Sequence, residues 1–174
     1  MKKVFVISVL NDCKELLFLL HKNYNGSPSI ETINLENNGD TKHYFHFSIE
    51  GENNCISNFS DPETFLYEPN SSILKAGAFK AVGEKFSLKK LAPSTHLYTS
   101  AELKNDFPGR IFQILNLKFD PLSTNKKANI ISRNFPMTPE ELKKKFKLSD
   151  GGENYLIAFS GQRKKFTVLA KRLA

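Results

Sequence analysis

The chain has 174 residues, 40% of them hydrophobic and 25% charged, with a formal net charge of +7. That size and balance fit one or two globular domains with a real core and exclude an intrinsically disordered chain. The longest apolar run, Leu16 to Leu20, is far short of the ~20 residues that a membrane-spanning helix needs, so no membrane partner is expected.

The charge is uneven. Residues 1–60 carry five Lys or Arg against seven Asp or Glu, a balance of −2, whereas the remainder carries 20 against 11, a balance of +9. A basic segment attracts polyanions, most simply nucleic acid, although lysine-rich surface also serves solubility. Met1 to Ile7 is basic and then apolar, but Asn11, Asp12, Lys14 and Glu15 follow at once. With no small-residue cleavage site, a cytoplasmic location is expected. Two cysteines, Cys13 and Cys55, make neither a disulfide framework nor a metal spacing.

Lys3 to Val9 is predicted as a central strand, because its apolar residues run on without alternation. Asp12 is predicted to start a helix with Glu15 as its capping-box partner, Leu16, Leu17, Leu19, Leu20 and Tyr24 as its buried face, and Gly26 as its stop. Ile30, Ile33 and Leu35 mark a second strand. Asn37 to Asp40 is a hairpin turn signal, and Tyr44 to Ile49 is a third strand. Residues 50–64 are expected to be loop. After Pro69, a helix capped by Asn70 or Ser71 is predicted from Leu74, Ala78, Ala81, Val82 and Phe86. Leu97 to Thr99 is a short strand, which completes the βαββαβ order of a ferredoxin-like fold.

Past residue 100 the pattern restarts. Arg110 to Phe119 and Ala128 to Ser132 read as strands, separated by a loop from Pro121 to Lys127. Thr138, Pro139 and Glu141 open a helix with Leu142 and Phe146 inside. Asn154 to Ser160 and Phe166 to Ala170 form a closing hairpin around Gly161 to Lys164.

No glycine-rich phosphate loop is present. His43 and His46 lie three apart in a strand and face opposite ways, so they cannot share a metal. His21 and His96 have no acidic or cysteine neighbour at ligand spacing. No serine sits in a nucleophile elbow. Catalysis by this chain alone is therefore not expected.

An ordered series of motifs carries a resemblance. It runs Leu66-Tyr67-Glu68-Pro69-Asn70, Ile73 to Phe79, His96 to Ser100 and Asp106 to Arg110, then Lys127-Ala128-Asn129, Arg133 to Pro136 and Leu148 to Leu156. Over about residues 66–174 the chain resembles the C-terminal part of a bacterial family of S-adenosylmethionine-dependent methyltransferases. Residues 1–65 resemble, more weakly, the segment that joins the catalytic domain to that part.

The resemblance implies an α+β chain: a ferredoxin-like region over about 1–100, whose start resembles the tail of a methyltransferase domain, then a small THUMP-like domain over about 101–174. Full-length members carry an upstream Rossmann-like domain with a glycine-rich cofactor loop, absent here. The chain is thus expected to be a C-terminal portion or a naturally shortened form. S-adenosylmethionine is expected only in that missing domain, with no cofactor in this chain. The implied role is recognition of RNA, typically transfer or ribosomal RNA.

Candidate RNA contacts follow from the basic residues. Lys75 and Lys80 fit either a solvated helix face or phosphate contact. Arg110 follows a tight turn, and Arg133-Asn134 ends a strand. The guanidinium fork suits phosphates and base edges, or Arg133 pairs with an acid and Asn134 satisfies a turn. Lys143, Lys144 and Lys147 close a helix, where cations also favour the dipole. Arg163, Lys164 and Lys165 occupy a hairpin tip, where basic residues also discourage edge aggregation. Tyr98, Phe107 and Phe135 are candidates to stack on bases. The competing function is a protein-docking module for a separate or missing catalytic domain. A homodimer or other contact through residues 1–50 is expected if their apolar face lacks its usual cover.

Overall fold

The computed structural model describes residues 1–173. Two compact units share the chain. Among the described residues, the first comprises 1–57, 69–87 and 106–109, and the second comprises 58–68, 88–105 and 110–173.

The first unit is built on β1 (Lys3–Val9), β2 (Asp12–Leu19), β3 (Ser29–Leu35) and β4 (Thr41–Ser48), in the order β2-β1-β3-β4. β1 runs parallel to β3 and antiparallel to β2. The helix expected from Asp12 is therefore a strand. Leu10 and Asn11 adopt φ of 49° and 66°, which turns the chain straight back. The Asn11 amide donates to Asn34 Oδ1 at 2.9 Å, and the buried Ser8 hydroxyl donates to the same oxygen at 2.7 Å. The apolar run then lies along an open sheet edge, with Leu16, Leu17, Phe18 and Leu19 45–55% exposed and Leu20 73% exposed.

Ser48 ends β4 and caps α1 (Ile49–Asn54), a helix inside the segment expected to be loop. The Glu52 carboxylate of α1 accepts the backbone N–H groups of Phe79, Lys80 and Ala81 at 2.8–3.1 Å. The single helix expected after Pro69 is two, α2 (Ser71–Ala76) and α3 (Ala81–Lys85). Gly77 at φ 82° ends α2 in a left-handed cap, a conformation that costs glycine nothing. α2 packs across β1, β2 and β3.

The second unit is a seven-stranded sheet. Its strands are β5 (Phe65–Pro69), β6 (Lys89–Ala92), β7 (Thr95–Ser100), β8 (Gly109–Asn116), β9 (Asn129–Arg133), β10 (Asn154–Ser160) and β11 (Lys165–Arg172). The order is β6-β7-β5-β8-β11-β10-β9. The order βαββαβ expected for residues 1–100 is thus replaced by four strands, α1, β5, two helices, β6 and β7. β6 escaped prediction because Lys89-Lys90-Leu91-Ala92 alternates poorly. Its Lys90 is buried, with the ammonium donating to the Pro93 carbonyl at 2.7 Å.

The sheet curls so that Thr95 of β7 donates its hydroxyl to the Ser160 carbonyl of β10 at 2.6 Å. Inside the curl lie Leu66, Leu91, Leu97, Phe112, Ile131, Ile157 and Val168. Outside, α4 (Pro139–Phe146) places Leu142 against Leu156, Ala158 and Leu169. α4 opens on the expected capping box of Thr138 and Glu141. β9, α4 and β10 form a βαβ unit, because β9 and β10 are parallel.

Candidate nucleic-acid interface

Strand alternation assembles the first part of the site. Leu66, Phe112 and Ile131 point into the core, so the residues two away on the same strands, Glu68, Arg110 and Arg133, share that side at one end of the curl. Glu68 has a side chain 4% exposed and accepts from Nε of Arg110 at 2.7 Å and from Nε of Arg133 at 2.5 Å. Arg110 also lies 5.8 Å from the Phe112 ring centroid, and Arg133 donates to the Ser132 carbonyl at 2.9 Å. Two guanidiniums on one carboxylate leave one positive charge uncompensated. Arg133 carries it outward, its side chain 42% exposed against 27% for Arg110. The acid that partners Arg133 is Glu68, a residue visible in the sequence only as part of a Tyr-Glu-Pro motif. Period-two alternation around Leu66 and Ile131 was the signal that could have found it.

The second part lies beyond the carboxyl ends of β9 and β10. Asn134 adopts φ 48° and donates its amide to Thr95 Oγ1 at 3.2 Å. This turns Phe135 and Met137 over a cleft of about 600 Å³ that Ser132, Ser160 and Lys165 also line. The Ser132 hydroxyl is used, donating to the Met137 carbonyl at 2.7 Å.

The other predicted contacts fall in different states. Lys143 is paired with Asp150. Lys144 and Lys147 are exposed, and Lys147 forms the left-handed cap of α4 at φ 52°. Lys164 pairs with Asp61 at 3.1 Å and lies 5.0 Å over the Phe166 ring. Arg163 and Lys165 are exposed, and among the described residues neither has an ion-pair partner. Lys75 and Lys80 belong to the other unit. Lys75 is exposed on α2, and the Lys80 ammonium donates to the Asn53 carbonyl at 3.3 Å. Of the three stacking candidates, Tyr98 and Phe107 are corrected by burial, at 1% and 2% exposed. Phe135 is half-buried, packing against the core cluster under α4 while lining the cleft.

No group of three or more metal-ligating side chains occurs among the described residues. No described helix is long and apolar enough to cross a membrane.

Two histidines give the fold a pH dependence. Burial is the main cause that lowers the pKa of His43 and of His96, with Lys42 and Lys90 respectively adding to it. The fold thus favours the neutral form of both imidazoles, while the unfolded chain takes up protons near pH 6.5. Their contribution is complete above that pH and is lost as pH falls through the lowered folded values. Thermal melting is expected to drop between pH 7.5 and pH 5.5, and H43Q/H96Q is expected to flatten that drop. Parallel profiles for the two proteins would count against it.

Residues 65–108 match a ferredoxin-like domain family and residues 110–172 match a THUMP domain-like family. Among solved structures, the chain is similar to a protein described as a "putative methyltransferase from Porphyromonas gingivalis W83", with 33% identity and a TM-score of 0.89. The similarity covers 99% of this chain and 46% of that one, so this chain spans about half the length of its relative. No curated protein matches. The expected α+β class stands, with the ferredoxin-like match beginning at residue 65. Residues 65–172 are thus a ferredoxin-like domain followed by a THUMP-like domain, and the chain fits that region of a methyltransferase family.

Proposed function

We propose that the chain is the RNA-binding, substrate-positioning region of an S-adenosylmethionine-dependent methyltransferase acting on transfer or ribosomal RNA. The observation that carries this reading is the cationic end of the THUMP-like domain, where Arg133 presents a net charge and Arg163 and Lys165 are unpaired among the described residues. Phosphate contacts release counterions, so affinity falls with salt, with a slope of about −0.7 per contact on single strands. Filter binding of total transfer RNA in a salt series is the test. R163E/K165E is expected to weaken binding and to flatten the slope by roughly one to two contacts' worth. K143E/K144E/K147E reports whether the α4 lysines take part. Equal affinity and slope for wild type and both variants would remove RNA from this surface.

The chain lacks a glycine-rich cofactor loop, and methyl transfer maps onto none of its residues. Calorimetric titration with S-adenosylmethionine is expected to show no saturable binding at micromolar concentrations, and a saturable isotherm would oppose this.

One observation favours a second reading, a docking module for a catalytic domain. β2 exposes Leu16, Leu17, Phe18 and Leu19 on both faces of an open sheet edge. Strands so patterned are ordinarily interior.

A further inference from the structure

We infer that the cleft beyond the carboxyl ends of β9 and β10 holds one unstacked nucleobase, so that the RNA is gripped as a single strand. This rests on the RNA-binding reading and adds the form of the ligand. In open α/β sheets ligands settle outside the carboxyl ends of parallel strands, and β9 and β10 form such a parallel pair within a mostly antiparallel sheet. The cleft, about 600 Å³, lies in the size range of small-molecule sites, roughly 300–1,000 Å³.

Its chemistry separates a base from a phosphate. A helix N-terminus would ordinarily invite an anion. At α4, however, the Glu141 carboxylate already accepts the Thr138 amide at 2.7 Å, and Glu140 stands beside it. A phosphate there meets two carboxylates. The walls are mixed: the half-buried Phe135, Met137 and two prolines supply an apolar part beside Ser132, Thr138 and Ser160. Aromatic faces stack on any base. Asn134 contributes the polar edge. Its Nδ2 is engaged by Thr95, which leaves Oδ1 to accept from a base amino group. Lys165 lines the cleft, and Arg163 lies in the same exposed hairpin tip. That places cations where the backbone of a bound strand would leave the cleft. A base paired within a duplex cannot enter such a site without being flipped out.

The test compares a single-stranded RNA of roughly 12 nucleotides with its duplex by filter binding at fixed salt. The single strand is expected to bind tighter. F135A is expected to weaken single-strand binding roughly 5- to 150-fold, the range of one lost base–aromatic stack, and F135Y is expected to restore it. N134G keeps the backbone conformation, because glycine tolerates φ 48°, and is expected to weaken binding several-fold. It serves as the second variant if F135A does not fold. Photocrosslinking with 5-bromouridine RNA is expected to label the peptide that contains Phe135. Equal affinity for single strand and duplex, or crosslinks only elsewhere, would overturn the base site while salt-dependent RNA binding stands. No RNA binding at any salt would overturn both readings.

Discussion

Glu68→Gln is expected to cost about 3–5 kcal/mol of stability, the range for removing one partner of a buried ion pair. Glu68 is the carboxylate for both Arg110 and Arg133, and its side chain is 4% exposed. Without its charge, two guanidiniums face each other at the end of a closed core with only neutral acceptors. For a chain of this size, ~1 kcal/mol moves the melting temperature by about 2–4 °C, so a fall on the order of 10 °C is expected. Arg133→Ala should cost less, since Arg133 is partly solvated and Arg110 keeps its carboxylate. Urea unfolding of both single variants and the double variant, read as a double-mutant cycle, measures the coupling. A loss below about 0.5 kcal/mol for Glu68→Gln, the size of an ordinary surface change, would mean the trio contributes little.

The second large effect concerns assembly. Light scattering of the wild-type chain at high concentration is expected to give a mass above that of a monomer, and L16K/F18K is expected to return it to the monomer. Leu16 and Phe18 lie on one face of β2, opposite Val6 and Val4 in register. Both are more than half exposed, so the variant should melt close to wild type. Burying the exposed half of each of five apolar side chains contributes ~1 kcal/mol apiece. That sum is comparable to the cost of association, about 4–15 kcal/mol. Self-association through β2 should therefore be weak. Edge pairing with a second copy would leave the exposed side chains of Leu16, Leu17, Phe18 and Leu19 largely uncovered, whereas a domain with helices flanking its sheet would cover them. A clean monomer for the wild type would count against contact through this strand.

The same strand shows where sequence reading fails. Leu16, Leu17, Leu19 and Leu20 have helical spacing, and Asp12 with Glu15 has the form of a capping box. What overrides them is tertiary: a tight turn at Leu10-Asn11, tied down by Asn34, a residue 23 positions away. No glycine announces that turn. The start of α4, by contrast, was legible to the residue, because it is encoded locally by Thr138, Pro139 and Glu141. The β10–β11 hairpin was legible for the same reason. At the site, the basic residues were visible, but their states were not. Glu68 lies 65 positions from Arg133, and no local pattern tells that Arg133 is paired while Lys165 has no ion-pair partner among the described residues.

The position of β11 bears on how the protein is made. Lys165–Arg172 is the last strand in the sequence, yet it lies between β8 and β10 near the middle of its sheet. Until it emerges from the ribosome, β6, β7, β5 and β8 can pair only among themselves, and β9 with β10. Each partial sheet then presents a raw edge of unpaired amides and carbonyls. At about 5–20 residues per second, that interval spans several seconds after β8 has appeared. A chain released before Lys165 would lack the strand that joins β8 to β10 and could not complete this sheet.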